Sequence, residues 1–439
     1  MRDLYYFCTK IIGWEDFYEP LHRPLCDWFT RVPPSRFRQT LIPRGHFKTT
    51  IGTECQIMWR WLWDPTIRFL ISHGKMDVAV EALSTIRFNL ESNDKLKFIA
   101  PDIFYENPEK ESARWLKDAI DIKRPYHRVP SCKATGATAS VVGLHFDWLI
   151  FDDLVYDENI GTKEQLEKIK NYIRAAGALL RVPARGKIDI IGTRWHIDDA
   201  YGWMLRDLKG SLTSSTMSCW TKDGDPIFPT RYSKPDLIAK KEEMGSFLFS
   251  ALYENNPVPS DMRYFREEDV QFIEELPEDK PLRFFTAVDP NREEGTQHHP
   301  GAVVTFARDP DGNFYEAEIT HRRFNVDDLV QVVRWHVNTW QPEKVIVEST
   351  GGQTYLIPWL RKEQITTSAP YTLIPVSRGP QVHKPLRILR IQPIVERRKL
   401  YLRTGYNPLF EEMKVYLGRK DDQDDCLDAL ADIVQLGYD

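Results

Sequence analysis

The stretch Pro43-Arg44-Gly45-His46-Phe47-Lys48-Thr49-Thr50 has the makings of a loop that holds a polyphosphate. A strand that turns tightly into a helix leaves backbone N–H groups aimed at one spot, at the positive end of the helix dipole. Lys48 would then meet the β- and γ-phosphates, and the Thr49 hydroxyl would ligate Mg²⁺. The pattern GxxxxGK[ST] is incomplete, because Ile42 and Phe47 stand where glycines are usual and Gly45 is the sole glycine. Taken alone, the stretch reads equally well as a turn with an exposed lysine. A second acidic motif tips the balance. Trp148-Leu149-Ile150-Phe151-Asp152-Asp153 is an apolar run ended by paired carboxylates, where a parallel sheet lines its ligand crevice. Asp152 would hold Mg²⁺ through water, and Asp153 would orient and deprotonate the attacking water, although glutamate is more usual there. A third polar strand end, Gly192-Thr193-Arg194, follows Lys187 to Ile191 and would lie beside the phosphates.

The second half offers a different chemistry. Asp289 ends the strand-like Arg283 to Val288, and Glu348 ends Lys344 to Val347. Projected at about 100° per residue, the segment 421–436 places Leu427, Leu430, Ala431 and Val434 on one stripe. Asp421, Asp425, Asp428 and Asp432 share a neighbouring arc, with Asp424 at its edge. Acids favour a helix N-terminus, which accounts for Asp421 to Asp425 but not for Asp428. Asp289, Glu348 and either Asp428 or Asp425 could thus clamp Mg²⁺ or Mn²⁺ against a phosphodiester. Asp428 is preferred because it faces inward. His298 and His299 read as solvated rather than as ligands.

The elements that must position these groups alternate. Strand-like 38–42, helical 51–63, strand-like 67–72 and helical 76–90 give the rhythm of a parallel sheet with crossovers. Asp309-Pro310-Asp311-Gly312 marks a hairpin turn between 301–307 and 314–320, followed by a helix over 326–340. The expected class is α/β: a P-loop NTPase domain over 1–256, a linker over 257–280, and over 281–439 a domain whose order of hairpin, helix, acidic strand and acidic helix resembles the ribonuclease H-like fold. Length supports two domains, since 439 residues exceed one ordinary core. The aromatic-rich segment 1–37 reads as core or as a lid over a nucleotide base. The small-residue run Ala134 to Ser140 suits a loop over phosphates, and the basic loop holding Lys123, Arg124, His127, Arg128 and Lys133 reads as solvated or functional.

A net charge of −5 leaves any nucleic-acid contact to local patches. One runs from Arg378 to Arg403, with Lys384, Arg387 and Arg390 as candidates for a DNA backbone and Arg397 to Lys399 as a solvated face. The cysteines Cys8, Cys26, Cys55, Cys132, Cys219 and Cys426 form no CxxC pair, which argues against a zinc site or a disulfide framework and fits a reducing cytosol. No stretch has a signal peptide's apolar run or membrane-spanning length.

Taken together, PRGHFKTT, LIFDD and IIGTRWHIDD, in this order and spacing, resemble the ATPase half of bacteriophage terminase large subunits. The order of hairpin, helix, acidic strand and acidic helix resembles that family's ribonuclease H-like nuclease, whose DDxxDA form matches Asp424-Asp425-Cys426-Leu427-Asp428-Ala429. The resemblance implies that Arg44 helps coordinate phosphates and that Thr193 and Arg194 couple hydrolysis to movement. It implies an ATP- and Mg²⁺-dependent motor that drives double-stranded DNA into a capsid, and a nuclease that cuts concatemeric DNA. Implied partners are a terminase small subunit, the capsid portal and further copies in a ring, in the host cytoplasm and away from membrane. Arg128 is a candidate for an arginine reaching a neighbour's ATP. The sequence ends just after the acidic helix, so no long tail for portal docking is expected. Two rivals remain at this level: a helicase–nuclease of DNA repair, and a recombinase or transposase carrying a decayed ATPase.

Overall fold

The structure is a computed structural model and describes residues 2–125, 127–137, 143–257, 264–290, 293–294, 297–298, 300–349, 356–367, 371–376, 384–418 and 422–436. Among sequence candidates, Thr138, Ala139, Ser140, His299, Arg378 and Asp421 lie outside these residues, as do Val258 to Ser260 of the expected boundary. The chain divides into two compact units, Met1–Ile238 with Phe249–Val258, and Ala239–Leu248 with Pro259–Asp439. The division departs from the expected one in two places. Residues 239–248 belong to the second unit, and the expected linker 257–280 supplies a strand to its sheet.

The first unit is built on seven strands: β1 (Phe37–Leu41), β2 (Phe69–His73), β3 (Ala119–Ile120), β4 (Cys132–Gly136), β5 (Trp148–Asp152), β6 (Lys187–Gly192) and β7 (Leu212–Thr216). Their order is β3-β4-β2-β5-β6-β1-β7, parallel except for β3. Burial on both faces explains why β2 and β5 read as continuous apolar runs. β6 separates β1 from β5, so the loop 43–50 and the acid pair face each other across the C-terminal end of one strand.

That sheet carries a fully buried ion pair. Arg38 on β1 and Asp189 on β6 sit in register and approach to 2.5 Å. Gln56 and Trp148 also donate to Asp189, while Arg38 donates to the carbonyls of Trp28 and Arg31. Two charges can sit in this core because nearly every polar atom around them is matched.

The second unit contains β8 (Gln271–Ile273), β9 (Arg283–Asp289), the short pair β10 (Glu293–Glu294) and β11 (Gln297–His298), β12 (Gly301–Arg308), β13 (Phe314–Arg322), β14 (Lys344–Glu348), β15 (Thr372–Val376) and β16 (Leu400–Arg403). The main sheet runs β15-β14-β9-β12-β13-β16-β8. β9, β12 and β13 form an antiparallel meander, and β14 and β15 add in parallel on the far side of β9, the ribonuclease H-like arrangement. Gly312, at φ +79°, makes the tight turn between β12 and β13. Helix Asp425–Leu436 lies across β9 and β12, burying Leu427, Leu430 and Ala431 against the sheet.

Candidate phosphate-binding and carboxylate sites

In the first unit, helical backbone begins at Lys48, and β1 enters it through the expected loop. Two residues bend the chain. Gly45 has φ +75°, and a Cβ there would strike the Tyr232 hydroxyl. Phe47 stands where a glycine is usual yet takes the left-handed backbone itself, at φ 58°. Such a conformation costs a bulky residue roughly 1–2 kcal/mol. It persists because the ring packs among Trp14 (5.7 Å), Phe17 (5.1 Å) and His22 (5.4 Å), which offsets the strain.

Lys48 Nζ reaches Asp153 at 2.8 Å, across the end of β6. Asp152 Oδ2 accepts from Thr53 at 2.8 Å, and the Thr49 hydroxyl also bonds this carboxylate. Asp153 has φ 45°, a second strained position at the end of an apolar strand. Burial, then the neighbouring Asp153, pushes the Asp152 pKa up to about 6. Asp152 Oδ1 and Asp153 Oδ1 are buried with no hydrogen-bond partner, which fits an acidic pair built around a cation. Thr53 and Glu54 join the site without belonging to any of the sequence motifs. Thr53 lies four residues beyond Thr49, a helical spacing that could have revealed it. Glu54 is buried and raised to about 7 by burial and by Asp152, which no periodicity announces.

The remaining loop and coupling residues are placed less uniformly. Arg44 lies over the Trp195 ring at 5.3 Å and is exposed. The His46 ring faces away, stacked on Tyr232 at 5.3 Å, with Nδ1 on the Arg44 carbonyl. Burial lowers its pKa to about 4, so it brings no charge to a phosphate at neutral pH. Thr50 opens the π-wound segment Thr50–Cys55. Gly192 abuts Tyr201, and Thr193 donates to the Ile42 carbonyl at 3.0 Å. Arg194 is buried and directs its guanidinium to Asp199 at 2.9 Å and to the carbonyls of His196 and Ile197. Arg128 is exposed.

The sign of the Asp152 shift gives a stability test. A carboxyl whose folded pKa rises from 3.8 to about 6 destabilises the fold fully above the upper value and not at all below the lower one. Asp152→Asn is therefore expected to stabilise the metal-free protein at neutral pH by on the order of 1–3 kcal/mol. Urea unfolding should show that gain shrinking as pH falls toward the unfolded value; a gain independent of pH would refute the assignment.

In the second unit, β9 and β14 run parallel and adjacent, so Asp289 and Glu348 leave the sheet side by side. Asp428 meets them from the helix above. Ligand oxygens of the three lie within 4.8 Å of one another, and all three residues are buried. Burial, then Asp428 and Glu348, raises the Asp289 pKa well above the usual carboxylate range, and Asp289 Oδ2 has no hydrogen-bond partner. Oxygen-only donors converging from a sheet and a helix fit a hard divalent cation such as Mg²⁺ or Mn²⁺.

Two expectations are corrected here. Asp425 does not join the trio, because its Oδ2 turns to His321 at 3.3 Å. Lys384 and Arg387 are not an open DNA-contacting face. Arg387 is only 5% exposed and donates to Asp428, 2.7 Å from Nε. Lys384 Nζ lies 2.5 Å from Asp424 and 3.2 Å from Asp428. Burial opposes the Lys384 charge, yet Asp428, Asp424 and Asp289 override it and raise its pKa. Sequence placed these cations near the acids in number only, 40 residues away, and could not show that they neutralise the same carboxylates. Arg390 is exposed and lines a cavity of about 360 Å³ with Arg308, Arg397 and Lys399.

Arg387→Leu should accordingly act on stability. Losing one member of a buried pair costs about 3–5 kcal/mol, measurable as a lower urea midpoint, while the salt dependence of DNA binding should not change. A flattened salt slope with unchanged stability would restore the DNA-contact role.

The two sheets and their carboxylates define a class of chain: a P-loop-type α/β unit followed by a ribonuclease H-like unit. Solved structures with this fold include the large terminase of a thermophilic bacteriophage. It aligns at TM-score 0.56 and 12% identity, covering 96% of this chain and 99% of that one. The complex of that terminase with ADP aligns at TM-score 0.55 and 12% identity over 96% and 100% of the two chains. Its complex with ATP-γ-S gives 0.55 and 12% over 95% and 98%. At this identity the likeness establishes the fold, over nearly the whole chain. No protein-family model matches the sequence, and no curated protein matches it. Among the described residues, no helix is long and apolar enough to cross a membrane.

Proposed function

We propose that the protein is a phage terminase large subunit: an ATPase that translocates double-stranded DNA into a capsid, joined to a metal-dependent endonuclease that cuts concatemers. The observation that carries this reading is the presence, in one chain of terminase fold, of two separate carboxylate sites suited to phosphate chemistry. One is Lys48 with Asp152 and Asp153, and the other is Asp289 with Glu348 and Asp428.

In the first site, Lys48 leaves Asp153 for the β- and γ-phosphates when ATP enters, with Arg44 and the backbone of Gly45 to Thr50 closing around them. Thr49 and Asp152 would hold Mg²⁺, which would neutralise phosphate charge there. Asp153, released from its ion pair, accepts the proton of the attacking water at its carboxylate. Gly192, Thr193 and Arg194 carry the change in the loop to the rest of the unit; with Arg194 tied to Asp199, the transmission runs through the Thr193 bond to Ile42. In the second site, Asp289, Glu348 and Asp428 would hold Mg²⁺ or Mn²⁺, which would orient and polarise the scissile phosphate. Lys384 and Arg387 hold Asp428 in place at its carboxylate.

The division into an ATPase over 1–256 and a nuclease over 281–439 is kept as a functional one. The same reading includes a small subunit, the portal, a ring of copies with Arg128 as the trans-acting arginine, and the host cytoplasm. The test is direct. Purified protein should hydrolyse ATP with Mg²⁺, faster with duplex DNA, and should linearise plasmid with Mg²⁺ or Mn²⁺. Cleavage without any ATP turnover would instead favour a recombinase-type nuclease.

A further inference from the structure

The last helix carries a second cluster on another flank. His321, near the end of β13, places Nε2 3.3 Å from Asp425 Oδ2 and 3.8 Å from Glu412 Oε1. Cys426 lies beside them: ligand atoms of His321, Glu412 and Cys426 fall within 4.8 Å of one another. Cys426 is fully buried, and the side chains of Glu412, His321 and Asp425 are 4%, 11% and 19% exposed. None of these residues is used in the function proposed above.

We propose that His321, Glu412, Asp425 and Cys426 form a tetrahedral site for one transition-metal ion, with zinc the best match to the donors. Bonds of about 2.0–2.3 Å to nitrogen, oxygen and sulfur imply donor separations of roughly 3.3–3.8 Å. The two spacings around His321 lie in that range; Asp425 stands outside the group of three whose atoms all fall within 4.8 Å, and its side chain would turn in as the fourth donor. Rigidity supports it too. Glu412, on helix Pro408–Val415, accepts from the backbone N–H of Cys426 at 3.2 Å and of Leu427 at 2.9 Å. Each of its oxygens is thereby fixed while retaining a lone pair. Softness separates the two sites on this helix: one imidazole and one thiolate favour zinc or cobalt, whereas the all-oxygen trio favours magnesium or manganese. A bound ion joins β13, helix Pro408–Val415 and the start of helix Asp425–Leu436. It would therefore set the position of Asp428, less than one turn further on. This departs from the expectation against a zinc site, which rested on the lack of a CxxC pair; one cysteine with a histidine and two acids from three elements leaves no such spacing.

Cobalt(II) distinguishes this site from the carboxylate trio without any activity measurement. Full-length protein, stripped with chelator and given one equivalent of Co²⁺, should show intense visible bands of tetrahedral cobalt and a near-ultraviolet thiolate-to-cobalt band. Zn²⁺ should displace both, excess Mg²⁺ neither. Cys426→Ser should lose the thiolate band, His321→Asn should weaken binding by at least about tenfold, and Asp289→Asn should retain both features. Only weak octahedral bands in the unaltered protein would overturn the proposal, and would leave a hydrogen-bonded network in its place. So would a thiolate band that survives Cys426→Ser, since five other buried thiols exist. If Cys426→Ser fails to fold, the spectrum of the unaltered protein and of His321→Asn still decides.

Discussion

Lys48→Ala is expected to lower ATP turnover by about 10²–10³-fold or more, the usual effect of removing one group that stabilises transition-state charge. Here the loss has two parts. The phosphates lose a cation, and Asp153 loses the partner that holds it 2.8 Å away. Two adjacent carboxylates, one already raised by burial and by the other, would then share the pocket without a counter-charge. Asp152 should protonate more readily, and its grip on Mg²⁺ should weaken. Lys48→Arg keeps the charge but not the shape, and should restore metal affinity better than turnover. The DNA cutting proposed for Asp289, Glu348 and Asp428 should persist. Phosphate release measured with and without duplex DNA, alongside plasmid cleavage, provides the check. Turnover within a few-fold of the unaltered protein would remove Lys48 from the phosphate site.

The second large effect concerns Asp289→Asn. Loss of a ligand to the proposed cutting metal should forfeit several kcal/mol of transition-state stabilisation, and about 4 kcal/mol corresponds to roughly 10³-fold in rate. ATP hydrolysis should be unaffected. The same change should stabilise the protein when metal is withheld, because Asp289 is a buried carboxyl crowded by Asp428 and Glu348. Its raised pKa means that the penalty is present at high pH and disappears as the group protonates. A variant that neither cuts nor gains stability would point to misfolding, and one that still cuts would end the nuclease assignment.

How much of this was legible depends on whether a signal lies along the chain or across it. Asp289, Glu348 and Asp428 were readable because strand ends and helix phase are local properties, and local phase fixed which face Asp428 takes. The hairpin around Asp309 to Gly312 was readable for the same reason. Arg387 was misread because exposure is a tertiary fact. Its basic neighbours suggested a DNA face, yet 41 residues away Asp428 takes its charge. The strand Gln271–Ile273 was hidden as well: three residues with no alternation find their partner only in Leu400–Arg403, far along the chain. Residues 239–248 read as continuous with the first unit because nothing in their composition marks a change of core.

Phe47 shows how a loop can be shaped by filling space instead of leaving it empty. A glycine would adopt the same bend unaided, and would sever it from its surroundings. With phenylalanine, the curvature of the loop is inherited from an aromatic layer contributed by Trp14, Phe17 and His22. Trp14, Phe17 and His22, none of them in the loop, thereby acquire leverage over its shape, and a substitution in this layer becomes a means of altering the loop while Lys48, Asp152 and Asp153 stay unchanged.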